Sequence, residues 1–531
     1  MLKKLISLII IIAVAAGLSG CLGVESVDQY SLVPDSTGGK DVEPAPAADN
    51  VFSLNYNPKY SLNPLTATNH SNQLVCNLVY ENLVEVDNDF NVIPNVITEW
   101  SCSEDGKIWT FKIDTTHVFH DGTNVTGRDV DYTIQKTIFS DRFSGRFASF
   151  QGTSYTDDTV LLYLGIADTQ IIKLMNLPLI KYGTFTDNRE EHPVGSGPYT
   201  FSEDMTKLEA YEGYPGYEDL PVDTVYLVNY TTADETIDAF EDSIIDVVMN
   251  DPSSLANLGY ADINETHTFA TTNLHYVVIN QDSDVGKYSA FRYAMNYAFD
   301  RENLVTLLNG NAVASAVPMY PTCDIYPSEF ADSIGYDLEM CKRVLENGGI
   351  LDYDDDGKLE LSQGAKDLTV TFLLCSDSSA KAGVVRKFAS DMESIGITVE
   401  TSSVTWDEYL EALEEGEFDL YYGEIKLRAD FDITELYDIR TKDNEDYNIN
   451  YSGGKDQNAL SYINAYLSSS DYDRATRYEE MCRYISDNGS LISIGFEKQQ
   501  LITHRGIVRG VNPNIGNPMY DFINWQINLD Y

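Results

Sequence analysis

Hydrophobic and polar positions fall into three regimes along the chain. Leu5 to Leu18 is an apolar run, interrupted by Ser7, behind Lys3 and Lys4. At about 14 residues it is short of the roughly 20 that span a bilayer as a helix, and the two lysines stand where the positive start of a secretory signal belongs. From Leu22 to about Asn50 Gly, Ser, Asp and Pro cluster, as in Glu43-Pro44-Ala45-Pro46-Ala47-Ala48, and no hydrophobic period is visible. That composition predicts a disordered tether. From Val51 onward short apolar runs of strand length alternate with stretches of helical spacing, the habit of an α/β protein. Leu274 to Asn280 predicts a buried strand. Ala290 to Leu308 predicts a helix, with Phe291, Ala294, Met295, Ala298, Leu304, Leu307 and Leu308 at three- and four-residue spacing and Asn309-Gly310 as its stop. No fixed-period repeat is evident.

The end of the first apolar run adds chemistry. Leu18-Ser19-Gly20-Cys21 resembles the lipobox of secreted lipoproteins, which implies a signal peptide over residues 1–20, acylation of Cys21, and a tether over 21–47. Two or three acyl chains anchor firmly where one is marginal. The expected place is therefore extracytoplasmic, on the cell surface or in the periplasm, with the membrane reached through the lipid.

Composition narrows the rest. The 531 residues carry 84 acidic and 35 basic side chains, a formal charge of -49, and such a chain repels nucleic-acid phosphates. With 43% hydrophobic residues it builds real cores, and its length implies two or three domains. Besides Cys21, Cys76, Cys102, Cys323, Cys341, Cys375 and Cys482 lie far apart with no C-x-x-C spacing, so neither a zinc site nor a redox motif is visible. The seven histidines, His70, His117, His120, His192, His267, His275 and His504, are scattered without H-x-x-x-H spacing. No G-x-S-x-G or H-E-x-x-H is present, and no enzymatic activity is expected.

Five separated passages then resemble one family. Ser61-Leu62-Asn63-Pro64 precedes Leu78-Val79-Tyr80-Glu81-Asn82-Leu83. Val92-Ile93-Pro94-Asn95, Trp100, Asp105-Gly106 and Trp109-Thr110-Phe111 lead to Phe119-His120-Asp121-Gly122-Thr123 and Arg128-Asp129-Val130. Pro193 to Tyr199 reads P-V-G-S-G-P-Y. Phe291 to Arg301 and Cys341 to Leu345, with Gly348-Gly349 and an Asp-rich turn, complete the set. In this order they resemble the solute-binding proteins of ABC importers in the peptide/nickel family, family 5. The resemblance implies an α/β, two-lobed clamp like the periplasmic binding proteins of class II, with an extra inserted domain. Domain I is expected at 48–69, 191–281 and 496–531, domain II at 70–190 and domain III at 282–495, with Leu274–Asn280 and Gly495–Thr503 as the crossing segments of the hinge.

Two motifs invite other chemistry. Pro193 to Tyr199 lacks the spacing of a phosphate loop and reads as a domain-crossing turn, and Phe119-His120-Asp121-Gly122 reads as a turn before a helix capped near Thr126. Asp352-Tyr353-Asp354-Asp355-Asp356-Gly357 begins as an EF-hand calcium loop does, yet its twelfth position is Gln363 instead of Glu and no exiting helix is obvious, so calcium is left open as a structural ion. No cofactor and no metal site are expected.

The resemblance also points at the ligand. In peptide-binding members an Asp late in domain III receives the ligand's α-ammonium, and Leu427-Arg428-Ala429-Asp430 matches that passage at Asp430. The match departs from the pattern: the spacing from Phe418-Asp419 is longer, Leu427 or Arg428 stands where a Trp is common, and no Pro follows. Arg428 is therefore kept as an alternative, a bidentate partner for a ligand carboxylate. Thr68, Asn69, His70 and Phe147 are further ligand-binding candidates by resemblance, and Tyr421 and Tyr422 are expected to add aromatic walls. The implied partners are an oligopeptide or dipeptide ligand and the transmembrane subunits of an ABC permease. The alternative ligand is a nickel or other metal chelate.

Overall fold

Two long strands organise the chain: Asn264–Ile279 and Leu491–His504. The computed structural model describes residues 50–140, 142–188, 191–252, 264–438, 449–453 and 456–529, so the signal, Cys21 and nearly all of the tether lie outside the described residues. The two strands pair antiparallel, with breaks in register between Ala270 and Leu274 and between His275 and Tyr276. On one side of the break Asn264–Ala270 pairs with Lys498–His504, whose far edge takes Val247–Asn250. On the other side Asn273–Ile279 pairs with Leu420–Lys426. An eleven-stranded sheet results, in effect two sheets sharing two strands.

The first half continues from Val247–Asn250 through Phe52–Asn55 and Thr224–Val228 to Lys207–Ala210 and Tyr199–Phe201. The second continues from Leu420–Lys426 to Thr369–Cys375 and Thr398–Val404, all parallel. Leu274–Ile279 is buried throughout, as a strand covered on both faces must be. A separate antiparallel sheet of Ile97–Cys102, Ile108–Ile113, Thr159–Leu164 and Phe150–Tyr155 is attached to the first half. Its neighbouring helix Gly127–Thr137 starts at a capping box of Thr126 and Asp129, where the turn at Asp121-Gly122 foretells a helix. The whole is a two-lobed clamp of the periplasmic-binding-protein type, joined by the crossing strands.

One predicted element is corrected. Ala290 to Leu308 is not a single helix but Ser289–Ala294, a tight turn at Met295–Tyr297, and Glu302–Leu307. The buried Arg301 guanidinium explains the break: its Nε donates to the carbonyl of Ser493 and its terminal nitrogens to that of Asn296, drawing the chain out of helical register. Among the described residues no helix is long and apolar enough to cross a membrane.

At the break in register an ion network ties the crossing strands. His275 lies 2.7 Å from Glu497 through Nε2 and 3.0 Å from the Tyr422 hydroxyl through Nδ1. Thr271 Oγ1 donates to the Glu497 carbonyl and Asn273 Nδ2 to its carboxylate. Lys381 pairs with Glu424 and Asp377, each at 3.0 Å. Burial alone would lower the pKa of His275, but Glu497 and Glu424 raise it above the ordinary value.

Candidate ligand-binding cleft

Where Leu420–Lys426 ends, the chain bends through Leu427 to Phe431, which takes a left-handed φ of 56°. The bend folds Arg428 back onto its own loop. Its Nε donates to Asp430 Oδ1 at 3.1 Å, Nη2 to the other Asp430 oxygen, and Nη1 lies 3.3 Å from Asp432 Oδ2. Nη2 also reaches Asp168 Oδ2, at 2.8 Å, and Asp168 belongs to the other lobe. Side-chain exposures of 17% for Arg428, 0% for Asp430, 7% for Asp168 and 11% for Asp432 make this an ion cluster shut away from solvent. Around it the lobes touch directly. Thr169 donates from its backbone to the Leu467 carbonyl at 2.8 Å and from its hydroxyl to that of Ser469 at 2.6 Å, while Arg474 Nη2 donates to the Thr169 hydroxyl at 3.2 Å.

Three carboxylates around one guanidinium leave an excess of negative charge, and the acidities reflect it. Burial and then Asp430 push the Asp168 carboxyl up to about 6, with Arg428 opposing. Burial raises Asp432 too. Burial would lower Arg428, but Asp430, Asp432 and Asp168 together hold it above the ordinary guanidinium value.

The facing wall is the segment from Arg142 to Phe147. Phe147 is buried within a tight turn, Ser144–Phe147. Arg142 and Arg146 both lie against the Phe143 ring, their guanidinium carbons 4.7 and 4.8 Å from its centroid. Gly145 faces the second lobe, since a Cβ there would sit 3.8 Å from a Glu435 carboxylate oxygen. His70 opens the helix His70–Val79, capped by Asn69, whose side chain accepts from the Asn72 N–H. Burial lowers the pKa of His70; Asp251 opposes, while Lys426 and Arg142 act with burial. Lys426 comes from the second lobe, so the charge of that lobe is felt at His70. Thr68, one residue before Asn69, is exposed.

The expected aromatic walls are corrected. Tyr421 and Tyr422 are not cleft walls. Tyr421 is 2% exposed inside an edge-to-face group with Phe418, Tyr276, Tyr409 and Tyr451, and Tyr422, equally buried, turns its hydroxyl to His275 at the hinge. They are successive residues of a strand covered on both faces, so each enters a core. Asp430 lies in the interlobe region, but with both oxygens already held by Arg428.

Sequence reading passed over Asp168, Arg142 and Arg146. Asp168 lies 260 positions from Arg428, and nothing local marks it. The arginines did carry a signal, two scarce cations flanking an aromatic ring in a strongly acidic chain. The remaining motifs are structural. His120 is 3.0 Å from the Gly197 carbonyl and burial holds its pKa down to about 4, while Pro193 to Pro198 leads into the strand Tyr199–Phe201. In the Asp-rich turn Asp352, Asp354 and Asp356 are joined by Glu360 in place of residue 363, with their oxygens within 4.8 Å of one another. Asp352 accepts backbone N–H groups of Asp356 and Gly357, and Glu360 that of Tyr353.

Comparison with known proteins agrees with this architecture. The sequence model of the bacterial extracellular solute-binding proteins, family 5, middle region, matches residues 91–446. The oligopeptide-binding protein AppA of Bacillus subtilis (strain 168) is 24% identical over 444 residues, 78% of this chain and 79% of that protein. Two solved structures share the fold. The ABC transporter substrate-binding protein CtaP of Listeria monocytogenes has a TM-score of 0.70 at 17% identity, covering 90% of this chain and 99% of its own. NikZ of Campylobacter jejuni, in complex with Ni(L-His), has a TM-score of 0.63 at 16% identity with the same coverage.

Proposed function

The chain belongs to the bacterial extracellular solute-binding proteins of family 5, and on that premise we propose that it captures short peptides between its lobes and delivers them to the transmembrane subunits of an ABC permease. It is an extracytoplasmic substrate-binding protein of an ABC transporter, of the peptide or nickel type, and not an enzyme. The peptide reading is supported by the similarity to an oligopeptide-binding protein along 78% of the chain. The observation that carries capture by closure is the charged cluster assembled from both lobes, Asp168 from one and Arg428, Asp430 and Asp432 from the other. A ligand that binds the closed form better than the open one shifts the equilibrium between them, and the closed surface is what a permease distinguishes.

A metal chelate is the second reading, favoured by the likeness of fold to NikZ with its Ni(L-His). Among the described residues His275 does meet two carboxylates, Glu424 and Glu497. That group sits at the hinge and is engaged with Lys381 and Tyr422. It therefore supports a structural role.

Mass spectrometry of solutes released on denaturing the full-length protein, purified in detergent without added ligand, tests the proposal. Short peptides are expected; a metal with a chelator, or a sugar, would reject the peptide reading. The membrane attachment is part of the same proposal and rests on Cys21. Cys21→Ser is expected to move the protein from the membrane to the soluble fraction, and continued membrane retention would exclude the lipid as anchor.

A further inference from the structure

We infer that this receptor reads its ligand by a carboxylate received at Arg142 and Arg146, and not by an ammonium at Asp430. The inference rests on the peptide reading above and names the end of the peptide that the cleft recognises. A linear peptide brings an ammonium and a carboxylate; a terminus that is buried must meet an opposite charge, whereas one that stays in water need not.

On the acidic side each carboxylate oxygen already has a protein donor. Both Asp430 oxygens accept from Arg428, and Oδ1 also accepts the Asp432 N–H at 3.2 Å. Asp168 gives one oxygen to Arg428 and the other to the Gln170 N–H at 2.8 Å. Asp432 gives one oxygen to Arg428 and the other to the Thr434 N–H at 2.9 Å. Every carboxylate oxygen of the cluster thus has a donor from the protein itself. To take over the Asp430 carboxylate an ammonium would have to displace or share oxygens held by a guanidinium fork, and three point-like donors do not replace that planar match.

The basic side is unfinished. Arg142 Nη1 donates to the Pro64 carbonyl at 2.9 Å. Arg146 Nη1 donates to the Leu174 carbonyl at 2.9 Å and to the Asn176 side chain. These partners are neutral, and among the described residues neither guanidinium forms an ion pair. A guanidinium carries five N–H groups, so most of the donors of each are not used by these bonds. The shortage is not one of acid, since the chain has 84 acidic residues against 35 basic ones. Burial depresses both groups, Arg142 to about 10 with Cys76 opposing, and Arg146 to about 9, where the neighbouring Arg142 and Arg428 add to the effect and Asp430 opposes it. An anion seated between the lobes reverses that penalty. Phe143 keeps both forks packed against its ring, and Gly145 between them faces Glu435 of the second lobe, so the pair stands at the closing seam.

Calorimetry on the full-length protein in detergent, with trialanine, N-acetyl-trialanine and trialanine amide, tests the inference. Acetylation is expected to change the affinity by less than about threefold, whereas amidation weakens it by more than about tenfold, the worth of one charged hydrogen bond. The double variant Arg142→Gln, Arg146→Gln is expected to bind acid and amide alike. Loss on acetylation with tolerance of the amide would overturn the inference, as would a folded double variant that still prefers the acid. The wild-type comparison needs no variant, so misfolding of the double variant leaves it decisive. If none of the three binds, the peptide reading at that length fails, and the natively bound solute becomes the probe. A solute bearing a carboxylate that is lost from the double variant upholds the anion site; a neutral or purely cationic solute overturns it.

Discussion

The two charged walls of the cleft differ in how complete they are. At Arg428 one cation meets three carboxylates, drawn from both lobes, and every carboxylate oxygen has a partner. At Arg142 and Arg146 two cations rest on neutral carbonyls and one side-chain amide. The first wall is a contact the protein makes with itself, two carboxylates from Arg428's own loop and Asp168 from the other lobe; the second is one it leaves for something else to complete. A clamp that separates these duties closes on geometry it already owns and selects its ligand with charges it does not spend internally.

The largest expected effect comes from breaking the finished wall. Arg428→Ala strands Asp430 and Asp168 without their cation, and breaking a buried pair costs about 3–5 kcal/mol. A marked fall in the thermal midpoint of the ligand-free protein is expected; an unchanged midpoint would show that the cluster is already hydrated and the contrast between the walls unreal.

A smaller effect follows from acidity. Burial and then Asp430 hold the Asp168 carboxyl up at about 6, above its ordinary 3.8, so closure that buries this group takes up a proton. The sign is therefore that closure strengthens as pH falls from 7 towards 5, by at most about tenfold per pH unit. Ligand affinity measured across that range is expected to rise on acidification in the wild type and to lose this component in Asp168→Asn; a rise of equal size in the variant would remove Asp168 as its source.

The smallest effect sharpens the seam between the walls. Thr169→Ala deletes the hydroxyl that donates to Ser469 and accepts from Arg474. Typical hydrogen bonds contribute about 0.5–1.5 kcal/mol, so affinity should fall by roughly three- to tenfold with little change in which peptide is preferred. A change of preference would place Thr169 in the ligand site itself.

The fold was legible where its determinants are local. Leu274 to Asn280 reads as a strand because burial on both faces demands a continuous apolar run, and Thr126 with Asp129 announces its helix by spacing alone. The same strand's earlier half, Asn264–Ala270, alternates in burial and offers no such run, so its full length was missed. The broken helix at Arg301 was hidden because the carbonyls that capture the guanidinium include that of Ser493, 192 positions away. The cleft suffered most from this. Resemblance led to Asp430, but its meaning depends on Arg428 and Asp168, one adjacent in the loop and the other supplied by the opposite lobe. Tyr421 and Tyr422 look like aromatic walls in sequence because a buried strand and a binding surface draw on the same residue types.

The most direct test is the crystal structure of the full-length protein with the peptide it carries. The account expects the ligand carboxylate within about 2.7–3.2 Å of a nitrogen of Arg142 or Arg146, with Arg428 still seated on Asp430. A ligand ammonium on Asp430, with Arg428 turned away, would contradict it.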